Sequence, residues 1–215
     1  MRVAKRTLWA FGAAVLSEDR IARFSAVETN AIKALSLAPN YAMAHLILAV
    51  AYVITNRAAQ GISECEYALA LDRNLAEAHG CIGTAKIFMG RAAETEGHIL
   101  EALRISPRDV FAYRWMQIIG TAKMQLGADA EAADWLRRSV EANRNFPLSH
   151  FQLAAALGLL GALDEARAAA KAGLALDPSF AIRRVRANVP SDNPVFLAGR
   201  ERFYEGMRVA GVPEG

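Results

Sequence analysis

The sequence predicts an all-α fold. It is an α-α superhelix of about five helix pairs followed by a C-terminal capping helix. Three observations carry that reading. First, the 215 residues are 53% hydrophobic but only 8% aromatic, so the apolar surplus is aliphatic and largely alanine, the best helix former. Second, a seven-residue segment recurs from Ala34, Ala68, Ala102, Ser139 and Gly173, at intervals of 34, 34, 37 and 34 residues. Its first residue is always small. Its second is Leu or Val (Leu35, Leu69, Leu103, Val140, Leu174), and its sixth is Pro or Arg (Pro39, Arg73, Pro107, Arg144, Pro178). Third, Gly83-Thr84-Ala85-Lys86 and Gly120-Thr121-Ala122-Lys123 repeat in the same frame, each with a glycine four residues further on, Gly90 and Gly127.

The elements follow in order. Three positive charges precede the apolar stretch Leu8 to Leu16, the outline of a signal peptide. The stretch is short and runs into Ser17-Glu18-Asp19-Arg20 without a small-x-small site, so secretion is not expected. From Ala34 to Asn56 no Lys, Arg, Asp or Glu occurs, but Pro39-Asn40 splits the run. The remainder, Tyr41 to Thr55, is shorter than the roughly 20 residues a bilayer requires, and reads as a buried helix. In the last pair, Leu153, Ala154, Leu157 and Leu160 have helical spacing, and Gly161 suits a left-handed helix end. The next helix begins at Leu163 or Asp164, and Pro178 enforces its stop. The three extra residues of the longer interval fit a loop near Asp109 to Ala112.

In the tail, Ala181 to Arg186 reads as a short basic helix. Ser191-Asp192-Asn193-Pro194 pairs a capping side chain with a first-turn proline. The helix that follows puts Phe196, Phe203, Met207 and Ala210 on one face, with Leu197 and Tyr204 beside them. Such a helix is expected to cover the apolar face that a solenoid exposes at its last repeat.

A 34-residue helix-turn-helix with small mid-helix residues and a late proline resembles the tetratricopeptide repeat. That pattern starts units at Leu8, Ala42, Ala76, Tyr113 and Pro147, and implies a right-handed solenoid over residues 1–180, with 181–215 as cap and tail. The large seventh place is met by Leu48, Ile82, Ile119 and Leu153, and the small eighth by Ala49, Gly83, Gly120 and Ala154. The eleventh place fits at Tyr52 and Leu157 but not at Lys86 or Lys123. The first unit, 8–41, is degenerate, because Glu18 stands where an apolar residue belongs. The tail, Asn193-Pro194 through Gly206 and Ala210-Gly211-Val212-Pro213, is loosely similar to the closing segment of repeat-bearing C-terminal halves of bacterial class III adenylate/guanylate cyclases and related signalling proteins.

The resemblance implies a concave surface lined by the first helix of each unit. Its candidate binding residues are Met43, Leu46, Val50, Val53, Ile54, Thr84, Ile87, Phe88, Gln117, Thr121, Met124, Phe151 and Leu159. The Lys and Asn residues of the family's clamp for a terminal carboxylate are missing from these places. The surface is mainly apolar, which calls for a partner, a second copy of the chain or a plug from its own terminal helix.

Catalytic chemistry has no constellation here. His45, His79 and His150 share the fourth place of their units, a helix pair apart, too far for one metal site. His98 lacks a ligand partner at metal spacing. Cys65 and Cys81 exclude a disulfide-stapled scaffold and a four-cysteine zinc site, and read as buried small hydrophobes. No nucleophile elbow, phosphate-cradling loop or HExxH pattern occurs. Glu94, Glu96 and Glu101 read as solvated surface. A net charge of +3 is too weak to indicate nucleic acid, even with Arg137, Arg138, Arg183, Arg184 and Arg186. The expectation is a cytoplasmic, non-catalytic scaffold without cofactor or metal, binding a protein or peptide in its groove. The alternative is a regulatory or oligomerising module of a larger signalling enzyme, such as a cyclase.

Overall fold

The computed structural model describes residues 20–215, with side chains from residue 22 onward. The expected first helix of the first unit lies outside the described residues. Eleven α-helices follow, and no strand occurs among the described residues. They are α1 (Arg20–Leu37), α2 (Ala42–Ile54), α3 (Ala58–Leu71), α4 (Ala76–Phe88), α5 (Thr95–Ile105), α6 (Ala112–Gln125), α7 (Asp129–Ala142), α8 (Pro147–Leu159), α9 (Leu163–Leu176), α10 (Ile182–Ala187) and α11 (Pro194–Val209). A 3-10 turn, Ala92–Glu94, leads into α5.

Each unit is an antiparallel pair, α2 with α3, α4 with α5, α6 with α7, and α8 with α9, and each second helix also meets the next first helix. The repeat's small residues sit where these helices cross. Ala68, Ala102 and Ser139 are fully buried. At the equivalent Gly173, a Cβ would stand 2.9 Å from the ring of Phe151, so glycine makes room for that phenyl group. Ser139 Oγ donates to the Tyr113 carbonyl at 2.6 Å, which satisfies a buried hydroxyl. Leu69, Leu103, Val140 and Leu174 pack, partly buried, against the cores between units.

The turns have two recurrent causes. Within units, Gly90, Gly127 and Gly161 adopt φ of +73°, +75° and +77°, a left-handed end that glycine reaches without steric cost, and Asn56 takes that role after α2 at φ 63°. Between units, Asp72, Asn143 and Asp177 accept the backbone N–H two residues on at 3.0–3.2 Å, closing Asx turns. The longer interval is taken up before α6, where the Asp109 carboxylate accepts from Phe111 N–H at 2.8 Å.

Lys86 and Lys123, the two departures at the eleventh place, bury their stems and hold acids on neighbouring elements. Lys86 Nζ reaches Glu94 at 2.9 Å, and Lys123 Nζ reaches Glu96 at 2.9 Å and Glu131 at 2.6 Å. Lys123 therefore joins α5 to α7. Glu101 pairs with Arg104 at 2.7 Å, so the acidic cluster read from the sequence is a set of neutralised surface groups.

Candidate functional site

The site begins with the path of the tail. After α9, Phe180 stacks on Phe151 with ring centroids 3.6 Å apart. α10 follows, and its first two amides donate to the carbonyls of Pro213 and Glu214 at 3.0 and 2.9 Å, returning the chain end to this point. Ser191 Oγ then donates to the Phe88 carbonyl at 2.6 Å, and Asn193 Nδ2 to the Met89 carbonyl at 3.1 Å. The side-chain oxygen of Asn193 caps α11 by accepting from Val195 and Phe196 N–H. One side chain thus starts the helix and pins it to the end of α4.

From there α11 runs along the first helices. Its main neighbour is α8, with further contact to α6 and little to α9. Phe196, Phe203, Tyr204, Met207 and Ala210 are buried as the apolar stripe requires, whereas Leu197 stays 38% exposed. Arg202 pairs with Asp129 of α7 at 2.6 Å. The expected cover of the last repeat is made over α8 and extends across α6 to the end of α4.

Between α4, α6 and this tail lies a cavity of about 230 Å³. It gathers nine of the thirteen candidate residues: Val50, Val53, Ile54, Thr84, Ile87, Phe88, Gln117, Thr121 and Met124. The other four are placed elsewhere. Leu46 is fully buried in the core around α2, and Met43 packs against that core. Phe151 is fully buried under Phe180, and Leu159 packs on the same cluster. The concave positions of α8 are largely taken by α11: Ala155 and Gly158 touch the backbone of Gly206.

Sequence reasoning left open a plug from a terminal helix but named none of the tail residues in the wall. Val185, Asn188, Pro190, Phe196, Gly199, Arg200 and Phe203 all line the cavity, and Phe196 meets Phe88 edge-on at 5.3 Å between centroids. The only available signal was the stripe on α11, which announces burial without naming the surface it is buried against. Arg114 and Trp115 of α6 line it too. At its floor Gln117 Nε2 donates to Gln152 Oε1 at 2.6 Å and to Thr121 Oγ1 at 2.8 Å, so these polar groups satisfy one another.

The histidines and cysteines stand outside this arrangement, apart from Cys81 at the cavity edge. His45 contacts Glu64 at 2.6 Å and the Pro39 carbonyl at 2.8 Å, and His150 contacts the Arg144 carbonyl at 2.9 Å. These are packing histidines that close the preceding turn. His79 and His98 have ring centroids 6.1 Å apart, and no group of three metal-ligating side chains occurs among the described residues. Cys65 and Cys81 are free and buried side by side; hydrogen bonding to Cys81 and burial push the Cys65 thiol well above its usual range. No described helix is long and apolar enough to cross a membrane.

Fold and site together define a tetratricopeptide-like helical solenoid whose concave face is partly closed by its own C-terminal helix. Solved structures share that fold. TTC0263, a thermophilic TPR protein of Thermus thermophilus, is 18% identical over 96% of each chain, with a TM-score of 0.68. Pseudomonas aeruginosa pilF is 20% identical over 97% of this chain and 96% of that one, with a TM-score of 0.66. YrrB, a TPR protein with an unusual peptide-binding site, is 23% identical over 84% of this chain and 90% of that one, at 0.55. No family model matches the chain, and no curated protein does.

Proposed function

We propose that this chain is a non-catalytic interaction scaffold that holds a protein or peptide partner on its concave face. One observation carries the reading: nine side chains from three successive first helices converge on a single, mainly apolar cavity. Apolar concavities with a few convergent polar groups are the usual form of a binding site. A likeness in fold to YrrB, which has a peptide-binding site, agrees with it. The partner inserts apolar side chains between Thr84, Phe88 and Thr121, while α11 limits how far it can run toward α8. The role as a regulatory module of a larger signalling enzyme rests on the tail sequence alone.

Affinity capture with the intact chain and with Thr84→Arg tests the proposal. Thr84 is partly buried and faces the cavity, so the variant fills the site without opening the core. Loss of the captured partner with an unchanged melting temperature is expected. An identical captured set would refute the groove assignment.

A further inference from the structure

The pairing at the cavity floor uses one end of each of two glutamine amides. Gln117 of α6 and Gln152 of α8 are only 8% and 7% exposed, and both line the cavity. Gln117 Nε2 donates to Gln152 Oε1 at 2.6 Å and to Thr121 Oγ1 at 2.8 Å, which occupies both of its hydrogens. The opposite ends, Gln117 Oε1 and Gln152 Nε2, have no hydrogen-bond partner among the described residues. Neither is sealed in, unlike His79 Nδ1 and Asp129 Oδ1, the described buried atoms that lack a partner. For two side chains this buried, the opening is the cavity they line. The free ends belong to amides joined by a 2.6 Å bond. They therefore lie within about 7 Å of each other, which one carboxamide making two hydrogen bonds of ordinary length bridges. Part of the wall is one apolar cluster, Ile87 and Phe196 with Phe88 and Ile118 packed against them.

We infer that the cavity selects a neutral carboxamide, and that the partner segment carries an Asn or Gln side chain, flanked by apolar residues, that pairs with Gln117 and Gln152. Its NH2 donates to Gln117 Oε1, and its carbonyl accepts from Gln152 Nε2. A carboxylate brings acceptors alone and an ammonium donors alone, so each leaves one floor group buried and unpaired. The inference rests on the partner reading for the source of the amide. The selectivity belongs to the cavity and is measurable with no partner present.

Hexanamide, heptan-2-one and N-methylhexanamide, titrated into the full chain by calorimetry, test it. The ketone keeps the tail and shape of hexanamide but carries methyl in place of NH2. A cavity without amide recognition favours the ketone, which gives up less hydration. One equivalent of hexanamide is expected to bind, about tenfold or more tighter than the ketone. Its binding shifts the Gln152 side-chain amide signals in 15N-resolved NMR spectra of the native chain. Gln117→Met removes the preference over the ketone, and Gln152→Met weakens both probes. A ketone that binds equally or better, or a preference that survives Gln117→Met, overturns the inference. So do unmoved Gln152 amide signals, a readout that stands even where a methionine variant fails to fold. Tighter binding of N-methylhexanamide than of hexanamide points to a main-chain peptide group and overturns the side-chain assignment. Failure of hexanamide alongside capture that Thr84→Arg still abolishes overturns the inference while the proposed function stands. Selective hexanamide binding with capture indifferent to Thr84→Arg upholds the amide site and refutes the proposed function.

Discussion

Gly158 of α8 and Gly206 of α11 meet backbone to backbone. A Cβ on Gly158 would stand 2.5 Å from the Gly206 carbonyl oxygen, and one on Gly206 would stand 2.3 Å from the carbonyl oxygen of Ala155. Both neighbours are main chain, which cannot turn aside. Gly206→Ala gains helix propensity of about 1 kcal/mol, but must push α11 off α8. Overpacking against backbone dominates, and a net loss of about 1–3 kcal/mol is expected in denaturant unfolding, with earlier proteolysis of the tail.

Asn193 has two separable duties. Asn193→Ala removes the cap and the bond to Met89, and should cost about 1–2 kcal/mol. Asn193→Asp keeps an acceptor for Val195 and Phe196 N–H but cannot donate to the Met89 carbonyl. Aspartate should retain α11 helicity by circular dichroism while speeding amide exchange in residues 188–193.

Core and cavity residues that look alike in sequence should respond differently. Leu46→Ala empties a fully buried site and should cost about 2–5 kcal/mol. Thr84→Val leaves the main-chain helix bond of Gly80 in place and should stay within about 1 kcal/mol of the native chain. Chemical denaturation of the two variants checks the contrast.

His79 and His98 predict a pH dependence. Burial lowers the pKa of both below the ordinary 6.5, and the neighbouring His79 lowers that of His98 further. The unfolded chain then takes up protons first as pH falls below 6.5, so stability is full above that value and declines toward the depressed folded values. Urea midpoints should drop between about pH 7.5 and about pH 5.5, and His98→Gln should flatten that slope.

Much of the solenoid was legible because its signals are local and periodic. The unit starts read at Ala42, Ala76 and Pro147 are helix starts, and Tyr113 follows the start of α6 by one residue. Gly161 ends its helix in the expected conformation. The site was legible only in part. Leu46 and Phe151 occupy the same fifth place as Gly80 and Gln117, yet the latter two reach the cavity while the former close over by non-local packing with α2's core and Phe180. The course of α11 depends on the fit of Gly206 to Ala155 and Gly158, and on Ser191 finding the Phe88 carbonyl 103 residues away. No spacing rule encodes such encounters.

The chain's own tail partly closes the concave face, over α8 and α6 and as far as the end of α4. Aromatic NOEs between Phe88 and Phe196, whose ring centroids lie 5.3 Å apart, test it most directly in the full chain. Strong ring-to-ring cross-peaks, together with slow amide exchange along α11, are the predicted result. No cross-peak, with amides of residues 194–209 exchanging at the rates of an unstructured peptide, would contradict it.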